Sequence, residues 1–489
     1  MVMSGLSSHI REVGGNDSAC HTQPPPLSRH FRPSPLLAGN LSLDSVVLVF
    51  FLKCCFNLGL RGISAGACGI IGAENQRLLY DPLYWDSSFF PKWRACCEDN
   101  MATARAIVVL LLGFLLRIVL VDYAPFLQRR IEIATPLSSF PTLQEGIFLH
   151  SHSNAAYDGS LNCHTPLELF LFRPLLHASP TLIALIFSIL DVVVLALLYL
   201  SIQEALSIGK SWKKGQGKGR QVIDTLLNID NDSKVLFAVC AVYWLSPMTI
   251  LSTAGRSTTV LRHIFTLLSL FLCMNGYRIL GVFALAVSAH LFFYNVTLLF
   301  PLTLFLSQAN HTSSLREFVI SSSTFFIASG GLLFASYVAM GHDWQFFYRS
   351  SLFQVLALEL RPNTGFLWYM SSEMFSNFIT FFTVCLQYHV LLYAFPLTIR
   401  LWNEPTFLFW TLFSINATFC AYPSLAEQSV PIALAFLFPS VFKMIDQTYL
   451  MLCALLVACV LGPSFWTMWM SQVSFRRVSF SICIAFLLE

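Results

Sequence analysis

Two carboxylates lie inside long apolar segments, where an ionised group needs a partner or a function. Asp191 is in the middle of residues 187–194, and Glu373 is in residues 368–375. A charge at such a depth in a membrane costs roughly 2.5–3.5 kcal/mol, so each side chain must face other helices or a wet cavity. We interpret Asp191 as a hydrogen-bond anchor between helices rather than as a site residue.

The second carboxylate has polar neighbours in the sequence. A cavity lined by such groups could receive the polar head of an amphiphile, while neighbouring Phe runs such as 378–382 could line a groove for its lipid tails. Ordinary packing between helices remains an equal alternative. The polar residues near Glu373 are Asn363, Ser371, Ser372, Asn377 and Gln387.

Motifs for catalysis and metal binding are missing from the sequence. It contains no G-x-S-x-G, H-E-x-x-H, Walker or G-x-G-x-x-G pattern. His150, His152 and His164 lack the spacing of a metal site, and we interpret them as surface residues. The 14 cysteines form no C-x-x-C, and several lie in apolar runs. We therefore predict no catalytic residue, no metal and no cofactor.

The composition indicates the elements that hold these residues. Of the 489 residues, 56% are hydrophobic and only 11% charged, whereas soluble proteins carry about 25% charged residues. This excludes a cytosolic enzyme and a disordered regulator, and the net charge of +3 is too small to indicate a nucleic-acid partner. The sequence predicts an integral membrane protein.

Apolar segments long enough to span a membrane recur from Met101 onward. They predict an all-α, polytopic helical bundle with about 10–12 spans. Segment 279–307 is long enough that we expect it to break into two at Pro301. The predicted segments are 103–121, 180–202, 235–253, 258–275, 279–307, 318–340, 365–395, 407–422, 430–442 and 447–470, with a further candidate from 478.

The loops indicate the orientation of the bundle. Lysines and arginines are concentrated in residues 210–220, whereas the longer first loop, 122–179, holds few of them. By the positive-inside rule, the 210–220 loop is cytoplasmic and the first loop is on the far side. The first loop is too long for a simple connector and is predicted to carry amphipathic helices on the membrane surface.

The two ends of the chain differ from the bundle. Residues 1–100 are an atypical extension, with a Pro/Ser/His-rich start and a Gly/Ala/Cys stretch without helical periodicity. We predict that this extension is disordered or lies outside the natural protein, that 101–475 form the membrane domain, and that 476–489 are an aberrant or truncated C-terminus.

Several motifs together resemble the family of subunit U of the GPI transamidase complex. Residues 361–369, followed by Glu373-Met374-Phe375 and by 395–401, are similar to its signature region. Residues 131–140 and 144–146 resemble its first loop. The resemblance extends, in order, through Tyr157-Asp158-Gly159, 164–167, Asp191, 245–252 and 300–302.

This resemblance implies a non-catalytic subunit in the endoplasmic reticulum membrane. Its partners would be the other transamidase subunits, including the caspase-like one that carries the nucleophile, and the GPI lipid. Its role would be to recognise or present the lipid and to scaffold the complex. We expect the lipid head near the polar groups and the acyl chains near the aromatic ones. The expected lipid contacts are Asn363, Trp368, Tyr369, Glu373, Phe375, Asn377 and Gln387.

The family also resembles the multi-span mannosyltransferases of the GPI pathway, which use dolichol-phosphate mannose. Such an enzyme needs a far-side carboxylate as general base, and Asp122 is suitably placed. However, Tyr123 and Ala124 follow it, and the paired acidic motif is missing, so the mannosyltransferase is the alternative. The candidates in the first loop are Asp122, Tyr157, Asp158 and His164.

Overall fold

A computed structural model describes residues 106–153, 156–157, 162–215, 232–356 and 361–439, with single positions between 441 and 461. These residues belong to one compact unit of the chain, Gly66–Glu489. Those with regular structure are helical, and no strand occurs among them. The predictions for 1–100 and 476–489, for most of 447–470 and for Asp158 fall outside the described residues.

The described helices are joined by connections of different lengths. Four short segments of other helix types occur among the described residues: the 3-10 helices Leu120–Tyr123, inside the first long helix, Arg173–Leu175 and Phe293–Leu298, and the π-helix Phe347–Leu352. The α-helices are α1 Ala106–Leu127, α2 Phe140–Ser153, α3 Pro166–Phe172, α4 Pro180–Gly215, α5 Asp232–Leu245, α6 Pro247–Ala254, α7 Thr259–Met274, α8 Arg278–Leu291, α9 Leu299–Ala309, α10 Ser314–Ala339, α11 Phe353–Leu356, α12 Phe366–Glu373, α13 Ser376–Arg400, α14 Pro405–Phe419 and α15 Leu425–Ala435.

Helices that could cross a membrane are present, as predicted for a polytopic all-α protein. Four are long and apolar enough within the described residues: Ala106–Leu127, Pro180–Lys210, Ser314–Ala339 and Asn377–Arg400. The pair α5 and α6 adds a fifth if its 41° bend is counted as one broken span. Helices α7 to α9 are apolar but shorter than the roughly 20 residues that cross 30 Å of hydrocarbon. The number of spans stays a prediction.

The break in segment 279–307 differs from the prediction. The expectation at Pro301 was wrong: α8 ends at Leu291, Phe292 takes extended angles (φ −146°, ψ 101°), and a 3-10 helix follows. Pro301 lies in the first turn of α9, where a proline lacks only an N–H that would have no helical partner. Segment 365–395 is also divided, because Met374 and Phe375 are extended between α12 and α13.

The main core surrounds α7, which packs closely on α4 and α8. Leu198, Leu267 and Leu285 are fully buried in this cluster. The first loop carries helices, as predicted, and the apolar side of α2 faces protein. Phe140 of α2 makes an edge contact with Phe187 of α4 at 5.4 Å between ring centroids, so the first loop is anchored to the bundle.

Candidate functional site

Asp191 lies at the centre of a buried cluster that joins four helices. Its Oδ2 accepts hydrogen bonds from Arg117 Nε at 2.9 Å and Nη2 at 2.5 Å, and from Thr253 Oγ1 at 3.0 Å. Its Oδ1 accepts one from the Tyr243 hydroxyl at 2.5 Å. Arg117 and Asp191 are 1% and 4% exposed. These are the contacts that an anchor between α1, α4, α5 and α6 would make.

The remaining donors of Arg117 are also used. Its Nη1 donates to the carbonyl oxygens of Gly113 and Trp244, both at 3.1 Å. The guanidinium lies 3.9 Å above the Trp244 ring, a cation–π distance. A buried ion pair is tolerated when its other donors and acceptors are satisfied, and here the helix carbonyls provide that.

Tyr157 and His164 of the first loop come together in a second buried cluster. The Tyr157 hydroxyl donates to the His164 carbonyl at 2.8 Å. The His164 ring places Nε2 2.9 Å from the Ser139 carbonyl and Nδ1 3.2 Å from Glu168 Oε2. Both ring nitrogens therefore lie within hydrogen-bond distance of oxygen atoms, and Nε2 also lies 3.1 Å from the Thr142 hydroxyl. The prediction of His164 as a surface residue was wrong, because its side chain is fully buried.

Burial and the charges in this second cluster shift the pKa values of Glu168 and Tyr157. Burial alone would raise the pKa of Glu168, but the charge and hydrogen bond of His164, together with Arg262, hold it below its ordinary value. Burial first, and then the Glu168 carboxylate, raise the pKa of Tyr157 well above its ordinary value. The Tyr157 phenol therefore stays protonated and remains a donor.

A second buried ion pair, which we did not predict from the sequence, ties the first loop to the bundle. Arg262 of α7 donates to Glu427 Oε1 of α15 at 2.6 Å and to the Leu137 carbonyl of the first loop at 2.6 Å. Arg117 was missed as well. Both arginines lie inside predicted spans, so the cost argument applied to Asp191 would have found them.

The predicted lipid contacts divide into two groups by exposure. Asn363, Tyr369 and Gln387 are buried, and Trp368 is half-buried. Glu373, Phe375 and Asn377 are exposed, Phe375 to 82%. The exposed group lies at the end of α12, at the extended break and at the start of α13. Neither of the two cavities discussed below is lined by any of these residues.

The buried members of the set hold the backbone in place. Asn363 Oδ1 accepts from Gly365 N at 2.6 Å, and its Nδ2 donates to the carbonyls of Arg361 and Ala421. A Cβ on Gly365 would approach Pro423 to 2.7 Å, so only glycine fits there. These contacts fix the segment before α12 against the turn after α14.

Gln387 belongs to a polar network at the break after α8. It accepts a hydrogen bond from the Tyr294 hydroxyl, and Gln354 donates to the Leu291 carbonyl at 3.2 Å. Gln354 Oε1 also accepts from Phe293 N at 3.1 Å. The network therefore satisfies backbone groups that the end of α8 leaves without helical partners.

Asp122 is the other first-loop candidate whose position is described, and it is distant from His164 in the sequence. Asp122 is exposed in the 3-10 turn Leu120–Tyr123 near the end of α1. Among the described residues, no group of three His, Cys, Asp or Glu side chains is placed to hold a metal ion.

The fold and these clusters define a multi-pass membrane protein whose buried charges are paired within a helical bundle. The chain belongs to the family described as GPI transamidase subunit PIG-U, whose model matches residues 107–474. This confirms the resemblance seen in the sequence motifs.

Named relatives cover most of the same region. The chain is 26% identical over 355 residues to the GPI-anchor transamidase component PIGU of Mus musculus, covering 71% of this chain and 81% of that protein. It is 26% identical over 355 residues to the GPI transamidase component GAB1 homolog of Schizosaccharomyces pombe, covering 71% and 80%. It is 25% identical over 346 residues to the GPI transamidase component GAB1 of Saccharomyces cerevisiae, covering 70% and 79%.

Proposed function

We propose that this chain is a non-catalytic subunit of the GPI transamidase in the endoplasmic reticulum membrane. The observation that carries the proposal is the family match over residues 107–474, which includes every described helix except the first residue of α1. In this role the chain holds the GPI lipid and contacts the other subunits, including the caspase-like one. The mannosyltransferase alternative is not favoured, because the matched family and the relatives above are named for the transamidase.

We place the lipid at the exposed junction between α12 and α13. Phe375 offers an apolar ring, with Glu373 and Asn377 as polar groups within two residues of it. An amphiphile needs this combination of an apolar contact and a few polar ones. The carboxylate of Glu373 suits an amine or hydroxyl of a lipid head, and the half-buried Trp368 extends the apolar side.

The buried members of the predicted set have a supporting role in this proposal. Asn363 and Gly365 fix the backbone that leads into α12, and α12 in turn presents Glu373 at its last position. A lipid held on this rigid junction would bring its reactive amine to the catalytic subunit in a fixed orientation. The contribution to the reaction is proximity rather than bond chemistry.

The first experiment tests the complex. Tagged full-length chain is purified in mild detergent, and the caspase-like subunit is sought among the co-purifying proteins. We expect it to be present in near-stoichiometric amount. Its absence, together with mannosyl transfer by the purified chain, would support the enzyme alternative instead.

The second experiment tests the junction. The Phe375→Ala and Glu373→Gln variants are expected to lower the amount of co-purifying GPI lipid several-fold while subunit assembly is unchanged. Phe326→Ala is a matched control, because Phe326 is 70% exposed but lies on α10. Equal lipid recovery from all three variants would contradict the placement of the lipid and leave the subunit proposal intact.

A further inference from the structure

Two internal cavities of about 20 Å³ each differ in the chemistry of their walls. The first is lined by Asp191, Ser257 and His263 among other polar groups, and by Val260. The second lies among apolar residues around Ala205. Each volume is enough for one water molecule, but a water also needs polar partners, so apolar cavities of this kind stay dry.

One wall of the polar cavity carries an unsatisfied side chain. His263 is 5% exposed, and its Nε2 lies 3.0 Å from the Ala426 carbonyl. A carbonyl only accepts, so Nε2 carries the proton, and Nδ1 of the neutral ring is an acceptor. This Nδ1 is buried and has no hydrogen-bond partner among the described residues. A buried acceptor without a donor is costly.

Two other groups in the wall can complete the coordination of a water. Oδ1 of Asp191 accepts from Tyr243 alone and has a second lone pair. The hydroxyl of Ser257 pairs with Thr259 at 3.0 Å with either oxygen as donor, so it is free to donate elsewhere when Thr259 donates. Among the groups that line the cavity, these three offer two acceptors and one donor.

We infer that this cavity holds one buried water molecule, which donates hydrogen bonds to His263 Nδ1 and Asp191 Oδ1 and accepts one from Ser257. Water matches all three groups, because it has two O–H donors and an acceptor oxygen, whereas a cation could bind the two acceptors but could not accept the hydrogen bond from Ser257. The water links the Arg117–Asp191 cluster to α7 and α15, whose Arg262 and Glu427 hold the first loop. It therefore connects the Arg117–Asp191 pair with the Arg262–Glu427 pair.

The direct test is a cryo-EM map of the full-length chain, purified with its natural partners, at a resolution that shows ordered water. We expect a peak about 2.7–3.2 Å from both His263 Nδ1 and Asp191 Oδ1. An empty cavity in a map that shows other buried waters would overturn the inference. The melting temperature should be the same in sodium chloride and choline chloride, and a sodium-dependent rise would show a cation instead.

Substitutions of apolar residues provide an independent test, because they leave the hydrogen-bonding groups of the protein in place. Val260→Ile adds one methylene to the wall of the polar cavity and is expected to expel the water and lower the melting temperature by roughly 2–5 °C. Ala205→Val is the matched control in the apolar cavity. It is expected to leave the melting temperature unchanged or to raise it. An equal effect of both variants would contradict the inference.

A third variant separates loss of water from overpacking. His263→Phe removes the unsatisfied acceptor, so Val260→Ile should cost much less in that background than in the natural chain. The same decrease in melting temperature in both backgrounds would show that steric strain, rather than a displaced water, explains the effect.

Discussion

Single residues in this protein show how charge is accommodated within apolar helices. Arg117 and Asp191 are both almost completely buried, and every donor contact of the arginine lies within the bundle. Such a pair contributes little net stability relative to two apolar residues, because both ions lose their hydration. Removal of one partner is different, since it leaves the other charge buried and uncompensated.

Arg117→Met is therefore expected to destabilise the protein by about 3–5 kcal/mol, because Asp191 loses its counter-charge. The measurement is thermal unfolding of the full-length chain in detergent, together with its steady-state amount in cells. Arg400→Met is the matched control, because Arg400 is exposed at the end of α13 and its removal leaves no buried carboxylate without a counter-charge. We expect a clearly smaller loss, and an equal loss would contradict the role given to burial.

Glu168 leads to a prediction about pH. Its pKa is below the ordinary 4.5 in the folded protein, so its ionised form stabilises the fold. That contribution is complete above about pH 5 and is lost as the pH falls below 4.5 and through the folded value. The stability difference between the natural chain and Glu168→Gln should therefore be constant at neutral pH and shrink in acid.

Unfolding between pH 7 and pH 3.5 measures this difference. Glu145→Gln is the control, because Glu145 is an exposed residue of the same loop, and it should leave the pH profile unchanged. A difference between the natural chain and Glu168→Gln that grows in acid would reverse the assigned sign.

Sequence reasoning at this scale found single charges but not their partners. The cost of insertion identified Asp191, and the same argument extends to Arg117 and Arg262. The pairs themselves join residues 74 and 165 positions apart. Which charges meet depends on which helices are neighbours, and one sequence without tertiary packing does not contain that information.

A close contact between a small residue and a large one joins α1 to the bundle. Gly113 of α1 lies against the Trp244 ring, where a Cβ would come within 2.1 Å of the indole nitrogen. Trp244 has no room to move, because it is fully buried and its Nε1 donates to the Leu110 carbonyl at 3.1 Å. Few other parts of α1 are buried, so this contact and Arg117 hold it to the bundle.

Gly113→Ala is expected to displace α1 and lower the melting temperature, although alanine is the better helix former. Gly330→Ala in α10 is the control, because no atom lies within 4 Å of its Cβ position. There the gain in helix propensity, roughly 0.5–1 kcal/mol, should appear as equal or higher stability. Changes in melting temperature of opposite sign for the two variants support the contact between Gly113 and Trp244, and changes of the same sign contradict it.

The ends of the helices show where hydropathy fails to predict the structure. Hydropathy located most helices but placed the break of one segment at Pro301, because proline is the usual marker. The chain breaks instead at Phe292, where no Gly or Pro is present and the polar groups of Gln354 take over backbone hydrogen bonds. That compensation comes from 61 and 63 residues away and leaves no local signal.

At the scale of the whole molecule, the long first loop is bonded to the bundle at several points. Backbone hydrogen bonds from Thr258 N to Ser138 O and from Leu425 N to Glu132 O add to the Arg262 contact with Leu137. The loop is therefore part of the folded domain. The candidate site was only partly predictable. Phe375 is exposed and Gln387 is buried, and residue type alone does not reveal this difference.

The orientation of this loop can be measured by glycosylation. Ser151→Asn completes an acceptor sequence with Ser153 at the exposed end of α2. If the first loop faces the lumen, the variant should gain a glycan that an endoglycosidase removes. The natural acceptor sequence at Asn231, in the loop between α4 and α5, is the control and should stay unmodified. A glycan on Asn231 would reverse the orientation.

The pairing of Arg117 with Asp191 also has a consequence for biosynthesis. The two residues are 74 positions apart, so at about 5–20 residues per second the arginine emerges roughly 4–15 s before its partner. During that interval α1 carries an unneutralised charge that the lipid phase disfavours. We therefore expect α1 to be held more firmly in the bilayer once α4 has arrived, because Asp191 then neutralises the charge of Arg117.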